Sequence, residues 1–165
     1  MLGTTATSDL ETRTTAGHHG ALRVWLRLLA TTNLIEAPVR TRLQERFGMT
    51  LPRFDLLSQL ERVPAGLRMN ELSARMMVTG GNVTGITDAL EREGLVVRDA
   101  DPADRRAWLV RLTVEGRRSF RAMAEEHERW IIEMFAGLPS RDIALMNELL
   151  GRLKAHLRLT IKDDA

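Results

Sequence analysis

Two short segments of the 165-residue sequence contain residue types suited to contacts with a polyanion. The first, Thr79–Gly85, combines small residues with hydrogen-bonding ones, which allows a backbone to approach a phosphate or a base edge closely. The second, Asp104–Arg106, contains two guanidinium groups whose planar shape suits paired contacts with phosphates. We predict that the residues that contact a nucleic acid are Thr79, Gly80, Gly81, Asn82, Thr84, Gly85, Asp104, Arg105 and Arg106.

The composition is compatible with this chemistry but does not establish it. A formal net charge of +2 is too small to indicate nucleic-acid binding by itself. Only Lys154 and Lys162 among the 24 basic residues are lysines, and the others are arginines. This bias fits phosphate contacts, and it equally fits a GC-rich genome that favours arginine codons.

The sequence offers little basis for other chemistry. Cysteine is absent, which excludes disulfides and thiolate metal sites, and the four histidines have no partners at metal-ligand spacing. No G-x-S-x-G, P-loop or H-E-x-x-H motif occurs. We therefore predict that the chain is not an enzyme and has no cofactor or metal. It also lacks a signal peptide and any apolar run near the roughly 18 residues of a membrane span, so we expect a cytoplasmic protein without a membrane partner.

Helical periodicity surrounds both segments. Residues 1–17 are predicted to be a mobile tail, and a helix is expected from about Gly20 to residue 48, with a kink or break at Pro38. Thr50 is expected to cap the next helix. A short helix over 70–77 should precede a helix over 80–93, which Thr79 would cap and Gly94 would end.

The pattern then changes to that of strands. Residues 95–98 and 108–112 are predicted to be two strands, joined by a charged loop over 99–106. Thr113 is expected to cap a long helix, and Ser140 to begin the last one. Two helices followed by a hairpin are the layout of a winged helix-turn-helix, in a fold that is mainly α with a small two-stranded β-wing.

In that layout, the helix over 80–93 would present Val83, Ile86 and Leu90 to the core. Three glycines in its first two turns cost about 0.8–1.0 kcal/mol each relative to alanine. Either tight helix packing or a close approach to DNA explains that cost, and we favour the second. The charged hairpin would place Arg105 and Arg106 in a minor groove, with Asp104 holding one arginine in place.

The region Leu51–Gly116 resembles the MarR (multiple antibiotic resistance regulator) family. Residues 104–113, with Gly116 beyond them, fit that family's wing pattern D-x-R-x5-L-T, and residues 90–96 fit its pattern L-x-x-x-G-L-V. The resemblance assigns Asp104 and Arg106 to the wing's acidic and basic positions, and Arg105 to the variable position between them. Asn70 departs slightly from the family, which often has Ser or Thr as that helix cap.

The resemblance, which covers roughly residues 20–158, implies a homodimer formed by the first and last helices, at residues 18–48 and 114–161, around a DNA-binding region at residues 49–113. The residues agree, since the terminal helices contain more apolar surface than a small domain can bury: Trp25, Trp130, Ile131, Phe135, Leu149 and Leu153. A two-fold dimer would place two reading helices about 34 Å apart on double-stranded DNA and read a near-palindromic operator.

The resemblance further implies a small-molecule effector that releases DNA. The predicted lining is Trp25, Leu29, Arg40, Arg42, Arg46, Phe54 and Asp55, which suits an anionic aromatic compound or its coenzyme A thioester. We therefore predict a dimeric, ligand-responsive transcriptional repressor. Two alternatives stay open at this point: a winged-helix regulator without an effector, and a helical protein–protein adaptor that has lost DNA binding.

Overall fold

The structure is a computed structural model that describes residues 19–76 and 80–160, without the side chains of residues 80, 81, 105 and 106. In chain order, its elements are α1 (Gly20–Phe47), α2 (Leu51–Glu61), β1 (Leu67–Arg68), α3 (Met69–Met76), α4 (Gly80–Arg92), β2 (Val96–Asp101), β3 (Asp104–Leu112), α5 (Val114–Phe135) and α6 (Ser140–Thr160). The chain divides into two compact units, Met1–Glu125 and Glu126–Ala165, with the boundary inside α5.

The core of the first unit lies among α2, α3, α4 and the sheet. Leucines from these helices are almost fully buried, and Phe54 of α2 packs against Phe120 of α5 with ring centroids 5.5 Å apart. Burying each such side chain contributes about 1.5–3 kcal/mol. Helix α4 therefore rests on a well-packed support.

Helix α1 is continuous through Pro38, so of the expected kink or break the break is wrong. A proline inside a helix removes the donor to the carbonyl four residues earlier, here Leu34, at a cost of about 3 kcal/mol. The turn that follows is anchored by Val39 and Leu43, which are 2% and 0% exposed. Burial of these two side chains offsets the lost hydrogen bond.

The sheet has three antiparallel strands in the order β1-β3-β2, one more than the two predicted. Strand β1 is only two residues long, and it pairs Leu67 with Val110 and Arg68 with Leu109. The preceding Gly66 makes this pairing possible: its φ is +94°, and a Cβ atom there would lie 2.8 Å from the Val110 carbonyl oxygen.

Thr113 lies between β3 and α5, and it caps α5 as predicted. Its hydroxyl accepts the N–H of Gly116 at 2.9 Å and donates to the Gly94 carbonyl oxygen at 2.7 Å. A Cβ atom on Gly116 would lie only 1.8 Å from the Leu95 carbonyl oxygen. The L-T-x-x-G part of the wing motif is thus explained by the close approach of α5 to the end of α4.

In the second unit, α6 contains no buried residue. Its exposed apolar side chains include Leu145, Leu149, Leu150 and Leu159, which are 46–70% exposed. We predicted from the sequence that Trp130 would belong to the surplus apolar surface, but this residue is only 4% exposed. Its ring is therefore not part of the exposed apolar surface, because intrachain packing already covers it.

Candidate nucleic-acid interface

Helix α4 has one buried face and one exposed face. Val83, Thr87 and Leu90 are fully buried at the spacing i, i+4, i+7, whereas Asn82 and Thr84 are exposed. The expected Ile86 is only half-buried, and Thr87 takes its place in the core because its hydroxyl donates to the Val83 carbonyl oxygen at 2.8 Å. A polar side chain satisfied by its own helix can be buried at little cost.

The glycines at the beginning of α4 lie where the sequence predicted. Gly80 and Gly81 begin the helix, and Thr79 lies outside the described residues. Gly85 is exposed, and a Cβ atom built on it would meet nothing within 4 Å. Packing inside the chain therefore does not require a glycine at position 85. Alanine at this position would make the helix more stable.

The end of α4 explains the L-x-x-x-G-L-V segment. Gly94 has a φ of +72°, its N–H donates to Glu91 O at 2.9 Å, and the N–H of Leu95 donates to Leu90 O at 2.9 Å. This is the Schellman pattern of a helix C-terminus, in which the two leucines pack together. The turn directs the chain into β2 and so couples the position of α4 to the hairpin.

The β2–β3 hairpin, hereafter the wing, is longer than predicted. The expected loop over 99–106 is wrong, since β2 extends to Asp101, β3 begins at Asp104, and only Pro102 and Ala103 form the turn. Charged side chains stabilise these strands across the ladder, as in the ion pair between Asp99 and Arg111. Arg105 and Arg106 therefore lie in β3, immediately after the turn.

Asp101, which the sequence interpretation missed, anchors the wing tip. Its carboxylate is 7% exposed, accepts the Ala103 N–H at 2.8 Å, and accepts the Arg68 Nε–H at 2.7 Å. The Ala103 N–H and the Arg68 guanidinium lower the pKa of Asp101, and burial only partly opposes them. An aspartate before a proline that accepts the N–H two residues ahead is a recognised turn pattern, so a signal was present.

The beginning of α3 is capped differently from the expectation for Asn70. The helix begins at Met69, and the Glu71 carboxylate accepts the N–H of Arg68 at 2.7 Å. That bond is the glutamate half of a capping box. Arg68 thus connects the beginning of α3, through its backbone, with the wing tip, through its side chain.

The residues predicted to line an effector site lie in different surroundings. On α1, Trp25 is 58% exposed, Leu29 is 44% exposed, and Arg40 is exposed and pairs with Glu36 at 3.3 Å. Arg46 is exposed on the same helix, where Arg42 is half-buried. On α2, Asp55 is half-buried and Phe54 belongs to the core.

A cavity of about 430 Å³ lies elsewhere in the first unit, between the end of α1, the end of α4 and the beginning of α5. Its walls include Phe47, Met49 and Leu95, with Glu115 and Arg118 among the polar lining residues. Within the described ranges, no three His, Asp or Glu residues are arranged to bind a metal ion. No helix among residues 19–76 and 80–160 is long and apolar enough to cross a membrane.

Helices α2 to α4 followed by a two-stranded hairpin define a winged helix-turn-helix protein. The sequence model of the MarR family matches residues 47–107. The winged helix-turn-helix of this chain is thus similar to that of MarR family transcriptional regulators.

Curated proteins show the same similarity. The chain is 26% identical over 113 residues to the HTH-type transcriptional regulator YsmB of Bacillus subtilis, covering 68% of this chain and 77% of that protein. It is 33% identical over 107 residues to the transcriptional activatory protein BadR of Rhodopseudomonas palustris, covering 64% of this chain and 61% of BadR.

Solved structures share the fold. A MarR family regulator from Silicibacter pomeroyi superposes with a TM-score of 0.72 at 28% identity, covering 87% of this chain and 99% of that one. Sco3205 from Streptomyces coelicolor, solved in complex with DNA, has a TM-score of 0.73 at 25% identity, covering 87% of this chain and 91% of its own.

Proposed function

We propose that the chain binds double-stranded DNA in a sequence-specific manner, with α4 in the major groove and the wing in the adjacent minor groove. The exposed first half of α4 carries this proposal: Asn82, Thr84 and Gly85 face outward from a helix whose opposite face is fully buried. A groove about 12 Å wide admits such a helix. The DNA complex of Sco3205 supports the assignment by similarity.

The proposed contacts divide by role. Asn82 and Thr84 would contact base edges, and the backbone at residues 79–81 would contact a phosphate. Arg105 and Arg106 follow the wing turn, which Asp101 anchors to Arg68. An arginine at the tip of an anchored hairpin suits a narrow, strongly negative minor groove.

The active species is proposed to be a homodimer. Helix α6 has no buried residue, and its apolar side chains Ile143, Met146, Leu150, Leu153 and Leu157 recur at a spacing of three to four residues, with Leu149 beside Leu150. On α1, Leu22, Trp25 and Leu29 are also more than 40% exposed. Helices of this length with an uncovered apolar face are stabilised by a partner, and a second copy provides identical surfaces.

We also propose that a small anionic aromatic compound, or its coenzyme A thioester, releases the protein from DNA and relieves repression. Exposed Trp25 offers an aromatic face, and exposed Arg40 lies on the same helix. These two residues are 15 positions apart, about 22 Å along α1, so an extended ligand such as a coenzyme A thioester could contact both, whereas a small carboxylate would contact one.

A selection experiment tests DNA binding and requires no chosen operator sequence. The full chain is incubated with a pool of random 40-base-pair duplexes, and the bound fraction is amplified and sequenced. We expect enrichment of a near-palindrome with half-sites about one helical turn apart. The affinity for the enriched duplex should fall steeply with salt, because each neutralised phosphate contributes about −0.9 to the slope of log K against log salt. A pool that remains random would overturn the proposal.

A further inference from the structure

The second half of α4 and the residue just after it carry three carboxylates, on Asp88, Glu91 and Glu93. The position is unfavourable, because acidic groups near a helix C-terminus oppose the helix dipole. It is also unfavourable for a helix that approaches phosphates, which repel negative charge. The neighbouring elements show what balances these charges.

Arg98 of β2 pairs with two of the three carboxylates. Its Nη2 donates to Asp88 Oδ1 at 2.5 Å, and its Nη1 donates to Glu91 Oε2 at 2.5 Å. The Arg98 backbone N–H also donates to Glu91 Oε1, at 3.3 Å. Burial lowers the pKa of Arg98, but the hydrogen bond and charge of Asp88 and the charge of Glu91 raise it overall. We call Asp88, Glu91 and Arg98 the Arg98 cluster.

The third carboxylate, on Glu93, pairs with Arg53 of α2. The Arg53 side chain is 17% exposed. Arg98 therefore links the second half of α4 to the wing, and Arg53 links the residue just after α4 to α2, so both ion-pair contacts lie toward the C-terminal end of the helix.

The residues proposed to contact bases lie some distance along α4 from these ion pairs. A small change of helix orientation at the ion pairs therefore moves those residues by a larger distance. Asn82 precedes Asp88 by six residues, which is about 9 Å along a helix. A tilt of about 10° at Asp88 would move Asn82 by about 1.5 Å. A functional contact tolerates only about 0.5 Å of misplacement.

We propose that Arg98 is a positioning residue for sequence readout: it orients α4 in the groove through Asp88 and Glu91 without touching DNA. This inference rests on the DNA binding proposed above and adds the element that determines its specificity. Loss of the Arg98 cluster should impair recognition of the correct sequence. It should leave the non-specific attraction to phosphates unchanged, since that attraction depends on charge and not on the angle of α4.

The variant Asp88→Asn with Arg98→Gln tests this, because it removes one acid and one base and preserves the net charge. Its affinity is measured for the selected duplex and for a scrambled duplex of the same composition, at several salt concentrations. We expect affinity for the selected duplex to fall at least tenfold, while affinity for the scrambled duplex stays within twofold. The salt slope should not change, because no phosphate contact is lost.

A matched control is the variant Glu115→Gln with Arg118→Gln, which removes an exposed ion pair of 2.8 Å on α5 with the same charge balance. It should leave both affinities unchanged. In an Asp88→Asn background, which leaves no carboxylate at position 88 to repel the new one at position 98, the swapped variant Glu91→Arg with Arg98→Glu should recover part of the specificity lost in the Asn/Gln variant, because opposite charges again face each other. Thermal melting of each variant checks that the chain is folded. If the Asn/Gln variant does not fold, Arg98→Lys, which can hold one carboxylate, should show a smaller loss of specificity.

Three results separate the possibilities. Unchanged affinity of the folded variant for the selected duplex would overturn the role of Arg98. An equal fall in both affinities would mean that Arg98 contributes charge to DNA binding and does not position α4. A parent protein that prefers no sequence in the selection would instead overturn the proposed function itself.

Discussion

At the scale of a single residue, Gly85 distinguishes between two explanations for a costly glycine in α4, namely tight helix packing and a close approach to DNA. A Cβ atom there meets nothing within 4 Å, so the fold does not require the glycine. We predict that Gly85→Ala stabilises the protein by about 0.8–1.0 kcal/mol, because alanine is the better helix former. The same substitution should weaken binding to the selected duplex at least tenfold, because in the proposed complex the added methyl group would face the DNA. Calorimetry and a fluorescence-anisotropy titration measure the two effects.

Gly20→Ala is the matched control for Gly85→Ala. Gly20 also has nothing within 4 Å of a built Cβ atom, and it begins α1, outside the proposed DNA interface. Its substitution should not change DNA affinity. Equal affinity of the Gly85→Ala variant and the parent would show that α4 does not approach DNA closely at this point.

Arg106 offers a second test at the residue scale. If it neutralises a phosphate or enters a minor groove, Arg106→Ala should weaken DNA binding and make the slope of log K against log salt less negative by about 0.9. Arg118→Ala, at an exposed position on α5, is the control for loss of one positive charge. Sedimentation should give the same mass for the variant and the parent. An Arg106→Ala variant that dissociates instead would show that the residue belongs to an interface between copies.

At the scale of elements, regular helices were predictable, because their signals are local. The expected helix over 80–93 differs by one residue from the observed α4, since the glycine at its C-terminus is a strong stop signal. The short β1 was not predictable, because two residues show no periodicity and depend on the contact of Gly66 with a strand more than 40 residues away. The lengths of the wing strands were underestimated. Their charged residues pair across the ladder, but a run of charged residues is also typical of a loop.

The candidate site was predictable to different degrees in its two parts. The exposed face of α4 followed from helical periodicity, apart from Thr87, whose burial depends on a hydrogen bond to its own backbone. The anchoring of the wing tip did not follow, because Arg68 and Asp101 are 33 residues apart in sequence. Electrostatic pairs between distant segments form only after folding, so periodicity in the sequence does not reveal them.

The Asp101 anchor leads to a prediction about pH at the element scale. Because folding lowers the pKa of Asp101, the ionised carboxylate stabilises the folded state above the ordinary aspartate pKa of about 3.9. That contribution is lost as the pH falls through the lower pKa of the folded protein. We expect Asp101→Asn to be less stable than the parent at pH 7 and the difference to shrink as the pH falls below about 4. Urea unfolding at pH 7, 5, 4 and 3 measures this, with Asp142→Asn on α6 as the control. A difference independent of pH would contradict the role of the ionised group.

At the scale of the whole molecule, α6 permits a test of the dimer that does not damage a core. Leu149 is 50% exposed in the chain, so Leu149→Glu places a charge where no intrachain side chain is displaced. We expect the parent to sediment as a dimer at micromolar concentration and this variant to shift toward monomer, since burying an unpaired charge is costly. Leu149→Met, which stays apolar, should remain dimeric. A dimeric Leu149→Glu variant would move the interface away from this part of α6.

The effector proposal concerns the molecule as a whole, because ligand and DNA would act on one equilibrium. Coupling between two ligands is reciprocal, so a compound that lowers DNA affinity tenfold must itself bind the DNA complex tenfold more weakly than the free protein. We therefore expect one aromatic acid or its coenzyme A thioester both to raise the melting temperature of the free protein and to displace the selected duplex. At 100 times its Kd, such a ligand adds about 2.7 kcal/mol of stability.

Calorimetric titration of the compound into free protein and into the DNA complex measures the two affinities, and Trp25→Phe with Arg40→Gln tests the site. A compound that stabilises the protein but binds both forms equally would be a ligand without a regulatory role, because equal affinity for two states shifts neither.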